Sequence, residues 1–543
     1  MIGNGGAFRW SGGVEDGIRQ DVSDSTPHIQ ILRNLNWQRR HALQKDKGVR
    51  VLVQAALESG AYDTFGGVEA RFSDGTQKIL LAQDDGTYCK LNVLNATTRA
   101  WAEETPNFAR QKPCMVMFAN KLHVFDGTTL RAWDGTTWTT PGTATVNDCS
   151  FGVVYANRLM AFHDASHPYE FWASGVRDGT DWDDALGNTV MGTGGEKILG
   201  AGVCGPYLIV GGEDFTRAYT LGTATAYDWT WDAVSDEIGP VNWQSFVSVT
   251  RPKGNESAHS FTFFWSKRGP VMVARFSEGL PIIMPLWDSI APMCKGEDFK
   301  GMQGLDLTDF ANVEGVYAPE TDEVRFCVQL NNDSQRHVLL CLNVTSAIAF
   351  ASNEGDSYPK WRTRDNPGWD FPVSTLFTIE VHPDTGLPTT TGLLHTFCAQ
   401  DGKVYEMDVY SSCKDEDTYP IEFNVSWDGI DGAEDEVREF EKSVRDVYIH
   451  CTQEGDYDVT VRVRGDGGFE TNTDTVNLSN GLLLWGSDLW GNTLWSAGSF
   501  VTERADFGVL GHKFQLTLSD DGAVSSPVAF DSWMLSGYVE GLR

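Results

Sequence analysis

The chain has 543 residues, enough for two to four ordinary domains or for one large repeat architecture with appendages. It carries 42 Lys and Arg against 75 Asp and Glu, and the resulting net charge of −33 argues against a surface that grips nucleic acid by neutralising phosphates. With 29 Phe, 19 Trp and 56 Gly, and few long runs of good helix formers, the composition predicts a mainly β protein with many turns.

The first 50 residues are polar and hold a basic cluster in an otherwise acidic chain. Its members are Arg33, Arg39, Arg40, Lys45, Lys47 and Arg50. Two interpretations stay open: a solvated face, or a docking patch for a negatively charged partner or a neighbouring subunit. Our prediction for residues 1–50 is an amino-terminal arm or docking segment. The segment does not resemble a signal peptide, and no later apolar run approaches the roughly 18 residues that span a bilayer.

The clearest structural unit is the stretch 118–138, FANKLHVFDGTTLRAWDGTTW. Two short apolar runs alternate with two Asp-Gly pairs, Asp126-Gly127 and Asp134-Gly135, which accept positive φ. This pattern predicts strand, turn, strand, turn. Because a single hairpin buries too little apolar surface to be stable alone, such units must pack against copies of themselves.

Looser copies of this unit run from about residue 51 to 410. Seven candidate units begin near Ile79, Met115, Val153, Ile198, Phe261, Val316 and Leu394. A closed radial stack of small antiparallel sheets leaves few exposed edges, so we predict a β-propeller of about seven irregular blades over 51–410. A sandwich or a solenoid is the competing architecture.

Two aromatic stretches interrupt the units, and we predict that residues 223–258 and 355–372 are loop insertions. Trp229 and Trp231 alternate with polar residues, as in a strand, before Gly239-Pro240 breaks the pattern. Aromatic insertions on one face of a propeller normally make contacts, so both Trp residues are candidate interface residues.

Residues 411–543 are strongly acidic at first and then show alternating strands, which predicts a separate carboxyl-terminal β domain, a small sandwich or platform. Within it lies the repeat LWGSD, LWGNT, LWSAG. Each Leu-Trp pair precedes a turn, and Trp485, Trp490 and Trp495 form either a local core or an anchoring surface for another subunit.

The sequence contains no recognisable catalytic, cofactor-binding or metal motif. There is no nucleophile elbow, zinc helix or phosphate-binding loop, and His163 and His167 are separated by turn residues that do not suit a helical metal face. The ten cysteines are widely spaced inside apolar runs and form no C-x-x-C pair, so we expect reduced, buried thiols in a reducing cytoplasm.

Several stretches, taken in order, resemble the tail nozzle or packaged-DNA stabilisation proteins of short-tailed bacteriophages. They are Asn34–Gly48, Tyr155–Leu159 with Glu170–Ser174 and Asp181-Trp182, then Ser235–Pro240, Phe263–Gly269 and Glu278–Pro281, and finally the LWGSD/LWGNT repeat. None is a catalytic motif, and the likeness covers most of residues 34–300 and a short carboxyl-terminal piece.

The resemblance implies a non-enzymatic virion protein, assembled in the host cytoplasm, with about six copies in a ring below the portal and adaptor. That ring would close the DNA channel, retain packaged DNA and dock fibres or spikes. An acidic lumen fits this role, because it would repel phosphates and let DNA slide without specific binding. Two alternatives remain: a phage receptor-binding or fibre-adaptor propeller, and a carbohydrate-active propeller enzyme.

Overall fold

The fold is described for most of the chain by a computed structural model. The described residues are 7–13, 28–38, 42–53, 63–95, 100–141, 144–163, 166–182, 188–190, 196–221, 229–253, 256–276, 279–299, 303–333, 336, 338–352, 359–364, 373, 375–379, 395–400, 403–409, 422–430, 440–453, 458–466, 471–478, 500–522 and 528–541. They are mainly β-strand. Within them the short α-helices are α1 (Ala144–Asn147), α2 (Ala291–Cys294) and α3 (Val344–Ala351), and 3₁₀ turns cover Asp288–Ile290 and Leu307–Asn312.

Five strands precede the repeated units. They are β1 (Ala7–Gly13), β2 (His28–Arg33), β3 (Leu35–Gln38), β4 (Ala42–Lys45) and β5 (Gly48–Val53). As shown below, they pair with strands from distant parts of the chain.

Seven antiparallel four-stranded units, called blades 1 to 7, follow one another from residue 64 to 409. Blade 1 contains β6 (Thr64–Arg71), β7 (Gln77–Asp84), β8 (Cys89–Asn95) and β9 (Ala100–Phe108). Blade 2 contains β10 (Cys114–Phe118), β11 (Lys121–Phe125), β12 (Arg131–Trp133) and β13 (Trp138–Thr139). Blade 3 contains β14 (Phe151–Tyr155), β15 (Arg158–Phe162), β16 (Glu170–Ala173) and β17 (Asn188–Val190). Blade 4 contains β18 (Gly200–Cys204), β19 (Tyr207–Gly212), β20 (Phe215–Thr220) and β21 (Thr230–Ser235).

The remaining blades are built in the same strand order. Blade 5 contains β22 (Val247–Lys253), β23 (Glu256–Ser266), β24 (Gly269–Ala274) and β25 (Ile282–Pro285). Blade 6 contains β26 (Glu314–Ala318), β27 (Glu323–Val328), β28 (Val338–Asn343) and β29 (Trp361–Arg364). Blade 7 contains β30 (Thr375–Ile379), β31 (His395–Gln400) and β32 (Lys403–Val409), and the amino-terminal β5 supplies its fourth strand.

The blades close into a ring. The first strands of successive blades contact each other in the order β6, β10, β14, β18, β22, β26 and β30, and β30 contacts β6 again. The protein is therefore a seven-bladed β-propeller, which confirms the predicted fold class and blade number. Six predicted starting points fall in or just before a strand of blades 1 to 6, and Leu394 lies outside the described residues, directly before β31.

Antiparallel pairing gives each blade two distinct ends. We call the end at which the first strand of each blade begins the upper face, and the opposite end the lower face. Connections between first and second strands, and between third and fourth strands, therefore lie on the lower face. Because β5 and β32 come from opposite ends of the chain and pair in one sheet, their hydrogen bonds keep the ring shut.

The predicted strand-turn pattern at 118–138 is confirmed in blade 2. Ala119 and Asn120 have φ values of 48° and 64°, as the two central residues of a type I′ hairpin turn require. In the next turn, the Asp126 carboxylate accepts hydrogen bonds from the backbone N–H groups of Thr128 at 2.9 Å and Thr129 at 2.7 Å. The short polar side chain thus fixes the turn that Gly127, at φ 72°, makes possible.

The carboxyl-terminal strands form a β-sandwich. They are β33 (Asn424–Ile430), β34 (Glu441–Gln453), β35 (Asp458–Gly465), β36 (Thr471–Asn477), β37 (Phe500–Gly511), β38 (Phe514–Ser519) and β39 (Val528–Gly541). One sheet has the order β2-β33-β38-β35-β36, and the other has the order β3-β4-β39-β34-β37 with β1 also paired to β39. Trp427 and Trp533 meet between the sheets, with ring centroids 5.5 Å apart.

The amino-terminal segment joins the two bodies and is not a separate arm. Strand β2 pairs in parallel with β29 of blade 6 and antiparallel with β33, so blade 6 and one sandwich sheet form a continuous nine-stranded sheet. Strands β3 and β4 belong to the other sandwich sheet, and β5 completes blade 7. The predicted boundaries at 50 and 410 divide the chain in sequence order. Strand pairing divides it differently, because β2, β3 and β4 belong to the sandwich sheets and β5 belongs to blade 7.

The two predicted loop insertions contain strands of the blades. Residues 230–235 form β21, the outermost strand of blade 4, and residues 247–253 form β22, the innermost strand of blade 5. Within 355–372, residues 361–364 form β29. Trp231 thus belongs to an outermost strand, which pairs on one side only and so tolerates polar residues on both faces, and Trp229 directly precedes that strand.

Candidate functional site: two buried charge clusters

A first charge cluster lies at the upper end of the propeller axis. Lys112, just before the first strand of blade 2, donates to the Glu314 carboxylate of blade 6, and its Nζ lies 3.0 Å from Thr375 Oγ1 of blade 7. Thr375 Oγ1 in turn donates to Glu314 Oε1 at 2.9 Å. We call these three residues the axial cluster. Burial lowers the pKa of Lys112, while the Glu314 charge opposes that effect.

The connection that carries Lys112 is fixed by both blades next to it. Arg110 binds the Asp84 carboxylate of blade 1 through two nitrogens, with the shortest distance 2.8 Å. The backbone N–H of Ala109 donates to Asp126 of blade 2 at 3.0 Å, and Gln111 donates to the Asp126 carbonyl. Blades 2 and 6 lie on opposite sides of the ring. The contact between Lys112 and Glu314 therefore crosses the upper end of the propeller axis.

A second cluster lies where the propeller meets the short connection between β4 of the sandwich and β5 of blade 7. It consists of Asp46, Glu323, Arg325, Arg362, Arg364 and Asp408, three acids and three arginines, all at most 5% exposed. We call it the junction cluster. Arg362 Nη1 lies 2.6 Å from Asp46 Oδ2, and Arg362 Nη2 lies 2.8 Å from Glu323 Oε2. Equal numbers of opposite charges make this burial tolerable.

Asp408 connects the cluster to blade 7. Its two carboxylate oxygens accept from Arg325 Nη1 at 2.7 Å and Arg364 Nη1 at 2.8 Å. Burial alone would raise the pKa of Asp408, but Arg325 and Arg364 outweigh burial and hold that pKa below its usual range. At Asp46 burial wins over Arg362 and raises the pKa. The cluster therefore holds β27, β29, β32 and the residue between β4 and β5 together.

Among the predicted basic docking residues that the structure describes, Lys45 is not on the surface. Lys45 is fully buried, and its Nζ lies 2.7 Å from Asp520 Oδ2 inside the sandwich, so its charge serves the interior and is not open to a partner. Arg33 Nη1 lies 3.9 Å from Glu422 Oε1, and the Lys47 carbonyl accepts from Arg364 at 2.7 Å. Arg50 lies on β5, and Arg39 and Arg40 lie outside the described residues.

The two predicted aromatic interface residues of blade 4 have opposite environments. Trp229 is buried, and its ring centroid lies 5.7 Å from that of Phe171 in blade 3. Trp231 is 46% exposed and lies under the Arg217 guanidinium, 5.0 Å from its Cζ. Only Trp231 is open to a partner. Trp485, Trp490 and Trp495 lie outside the described residues.

The described cysteines and the two histidines considered as metal ligands are accounted for by burial and by turn structure. Eight cysteines are buried free thiols, and burial raises the pKa of Cys114 to about 12. His163 has φ 62° and its Nδ1 lies 2.8 Å from the Ile198 carbonyl oxygen. In the part of the chain that the structure describes, no three His, Cys, Asp or Glu side chains form a group that could hold a metal ion.

Sequence reasoning missed both charge clusters and the buried His123. The junction cluster did leave a signal: Glu323-Val-Arg325 and Arg362-Thr-Arg364 place charges at alternate positions inside short, otherwise buried strands. Charged residues in such strands indicate a buried, paired network. Nothing in the sequence, however, shows which acid pairs with which arginine.

No family model matches the chain, and no curated protein matches it. Among solved structures, it is similar to a putative 6-phosphogluconolactonase from Bacteroides fragilis NCTC 9343, with a TM-score of 0.37 and 10% identity over 62% of this chain and 91% of that one. It is also similar to Hsv2 from Kluyveromyces lactis, with a TM-score of 0.32 and 11% identity over 61% and 93%. An exo-beta-1,3-galactanase from Phanerochaete chrysosporium gives 0.27 and 7% over 91% and 100%.

At such TM-scores these likenesses carry no argument about what the chain does. The propeller assignment rests on the strand order and ring closure of the chain itself. Within the described ranges, no helix is both long enough and apolar enough to cross a membrane.

Proposed function

We propose that this chain is a structural, non-enzymatic protein of a short bacteriophage tail, where several copies form the nozzle ring that closes the DNA channel. The observation that carries the proposal is that the charged side chains of the axial and junction clusters are paired within the protein. In both clusters, acids and bases are paired with each other and join separate blades and the sandwich. Such groups stabilise a rigid body, whereas an enzyme needs polar groups that are free to meet a substrate.

The contacts at the upper end of the propeller axis also support a structural, non-enzymatic role. Small-molecule sites are concave pockets with a few convergent polar groups that are free to contact a ligand, whereas Lys112, Glu314 and Thr375 contact each other across the upper end of the axis. The axial cluster thus favours a structural role over the alternative of a carbohydrate-active propeller enzyme.

The remaining parts of the proposal come from charge and from the resemblance of the sequence to nozzle proteins. A chain with net charge −33 repels DNA phosphates, so a lumen lined by it would let DNA pass during ejection. About six copies would assemble on the portal and adaptor in the host cytoplasm, become part of the virion tail, and dock fibres or spikes.

The test is the mass of the purified chain in solution by light scattering, alone and mixed with the tail adaptor. Discrete rings near six copies, formed alone or only on the adaptor, would support the proposal. A stable monomer that ignores adaptor and binds or cleaves a glycan would overturn it in favour of a receptor-binding or carbohydrate-active propeller.

A further inference from the structure

A lysine of the amino-terminal segment is buried in the sandwich against an acid from the other end of the chain. Lys45 Nζ lies 2.7 Å from Asp520 Oδ2, and only 0% and 3% of the two side chains are exposed. By comparison, Lys112 and Lys267 keep 18% and 48% of their side chains exposed while they pair with carboxylates. Lys45 and Asp520 therefore meet with almost no access to bulk water.

The pair connects the two sheets of the sandwich. Lys45 ends β4, which pairs with β3 and β39, whereas Asp520 directly follows β38, which pairs with β33 and β35. The surroundings are apolar. Leu35 is the register partner of Lys45, and Phe423, whose backbone contacts Asp520, packs on Phe530 with ring centroids 5.3 Å apart. All three apolar side chains are buried.

Backbone groups of Phe423 hold the Asp520 carboxylate in place. The Phe423 N–H donates to Asp520 Oδ1 at 2.6 Å, and the Asp520 N–H donates to the Phe423 carbonyl at 3.2 Å. One carboxylate oxygen thus meets a backbone donor while the other meets Lys45. A backbone N–H in this position stabilises the negative charge that develops on a carboxyl oxygen when a nucleophile adds to the carbon.

We propose that Lys45 and Asp520 condense to a side-chain amide, so that the mature chain carries a covalent cross-link between the two sheets of the sandwich. Apolar surroundings favour neutral groups over separate charges, so the Lys45 ammonium can pass a proton to Asp520 Oδ2 and become a nucleophilic amine. A carbon–oxygen bond adds about 1.2 Å to the contact between Nζ and Oδ2, which places Nζ within about 4 Å of the carboxyl carbon.

The atoms of this step balance without an external reagent. Lys45 Nζ forms a bond to Asp520 Cγ, and an electron pair moves onto Oδ1, where the Phe423 N–H meets it. The Cγ–Oδ2 bond then breaks, and Oδ2 leaves as water with two of the three ammonium protons. The third proton stays on the amide nitrogen. One buried ammonium and one buried carboxylate are replaced by a neutral amide, which removes the cost of keeping both charges out of water.

The cross-link closes a loop of the chain that contains the whole propeller, because its two ends are 475 positions apart. A covalent link between distant residues removes conformations of the unfolded chain and so stabilises the folded one. It also prevents the two sheets of the sandwich from separating at this point. The inference concerns a single copy and is independent of the ring assembly proposed above.

The experiment is mass spectrometry of the full chain, first intact under denaturing conditions and then after digestion with trypsin. We expect the wild-type chain to be lighter than its sequence mass by one water molecule. Trypsin cleaves after lysine and arginine, so the cross-link should appear as residues 41–47 joined to residues 514–543. Lys45→Arg keeps the positive charge without a nucleophilic amine, and this variant should have its full sequence mass.

The same digest contains an internal control. Lys267 Nζ lies 3.3 Å from Asp214 Oδ1, but both side chains are exposed, so we expect their peptides to be separate. Two results would overturn the inference. The folded wild-type chain could keep its full sequence mass after prolonged storage and release residues 41–45 only as a free peptide, a result that decides the question whether or not the variant folds. Alternatively, the Lys45→Arg variant could lose the same water molecule.

Discussion

The Asp46 carboxylate accepts a hydrogen bond of 2.6 Å from Arg362, a residue 316 positions further along the chain. Asp46 lies between the last sandwich strand of the amino-terminal segment and the strand that closes blade 7, whereas Arg362 lies on the outer strand of blade 6. One buried ion pair therefore couples ring closure to the attachment of the sandwich.

Breaking this pair should be costly. Arg362→Met leaves Asp46 and Glu323 buried without their main partner, and loss of one member of a buried ionic network costs about 3–5 kcal/mol. We expect a lower urea midpoint by tryptophan fluorescence and separate transitions for propeller and sandwich. Arg504→Met, which removes an exposed arginine paired with Asp446, is the control and should leave the midpoint unchanged. Equal effects of the two substitutions would contradict the role given to the junction cluster.

The axial cluster predicts energetic coupling between blades that are far apart in sequence. Lys112→Ala and Glu314→Ala should each destabilise the protein, and the double variant should lose less than the sum of the two. Residues in one contacting salt-bridge network couple by about 0.5–3 kcal/mol in such cycles. Urea denaturation of the four proteins measures the coupling. Strict additivity would show that the contact seen across the axis contributes nothing in solution.

Gln83 is a polar residue whose replacement should stabilise the protein. Its side-chain oxygen and nitrogen, and the hydroxyl of the paired Thr64, are buried with no hydrogen-bond partner. An unsatisfied buried polar group costs about 1–3 kcal/mol, so Gln83→Leu should raise the melting temperature. Gln111→Leu, which removes the bond to the Asp126 carbonyl, should not raise it. A destabilised Gln83→Leu variant would mean that this amide is satisfied in solution.

His123 predicts an acid-sensitive contribution to stability. Burial lowers its pKa to about 4, and the ring packs against Phe118 and Gly179. Because the folded-state pKa lies below the unfolded value of 6.5, this contribution is complete above pH 6.5 and is lost as the pH falls toward 4. The total loss is about 3 kcal/mol.

Denaturation of His123→Leu and wild type across this pH range measures the effect as a difference. The variant should lose less stability on acidification than the wild type does, and His512→Gln, at an exposed position, should follow the wild type. Parallel pH profiles of His123→Leu and wild type would show that His123 gains a compensating partner on protonation.

The basic cluster at the amino terminus predicts a docking phenotype that is distinct from unfolding. Reversing Arg39 and Arg40 to Glu should reduce incorporation of the chain into tails, because a docking patch for a negatively charged partner would lose its attraction. Thermal melting should stay unchanged. Lys45→Glu, at the buried pair with Asp520, should instead destabilise the sandwich. Normal incorporation of the Arg39 and Arg40 variant would reject the docking hypothesis.

The sequence by itself determined the local structure of this protein. Paired Asp-Gly turns and alternating apolar runs specify hairpins through short-range hydrogen bonds, as around Asp126, and repetition of such hairpins favours a closed stack. These local patterns predicted a β-propeller of about seven blades, and contacts between the first strands of distant blades decided between that fold and a sandwich or solenoid.

Tertiary structure alone decided which distant segments pair. Residues 1–50 were predicted to be a polar docking segment, yet β2 enters the sandwich and β5, which starts at Gly48, closes blade 7. Lys45 was predicted to be a docking residue, yet it is paired with Asp520 in the interior. A sequence shows the sign and spacing of charges, but the partner of each buried charge depends on contacts hundreds of residues apart.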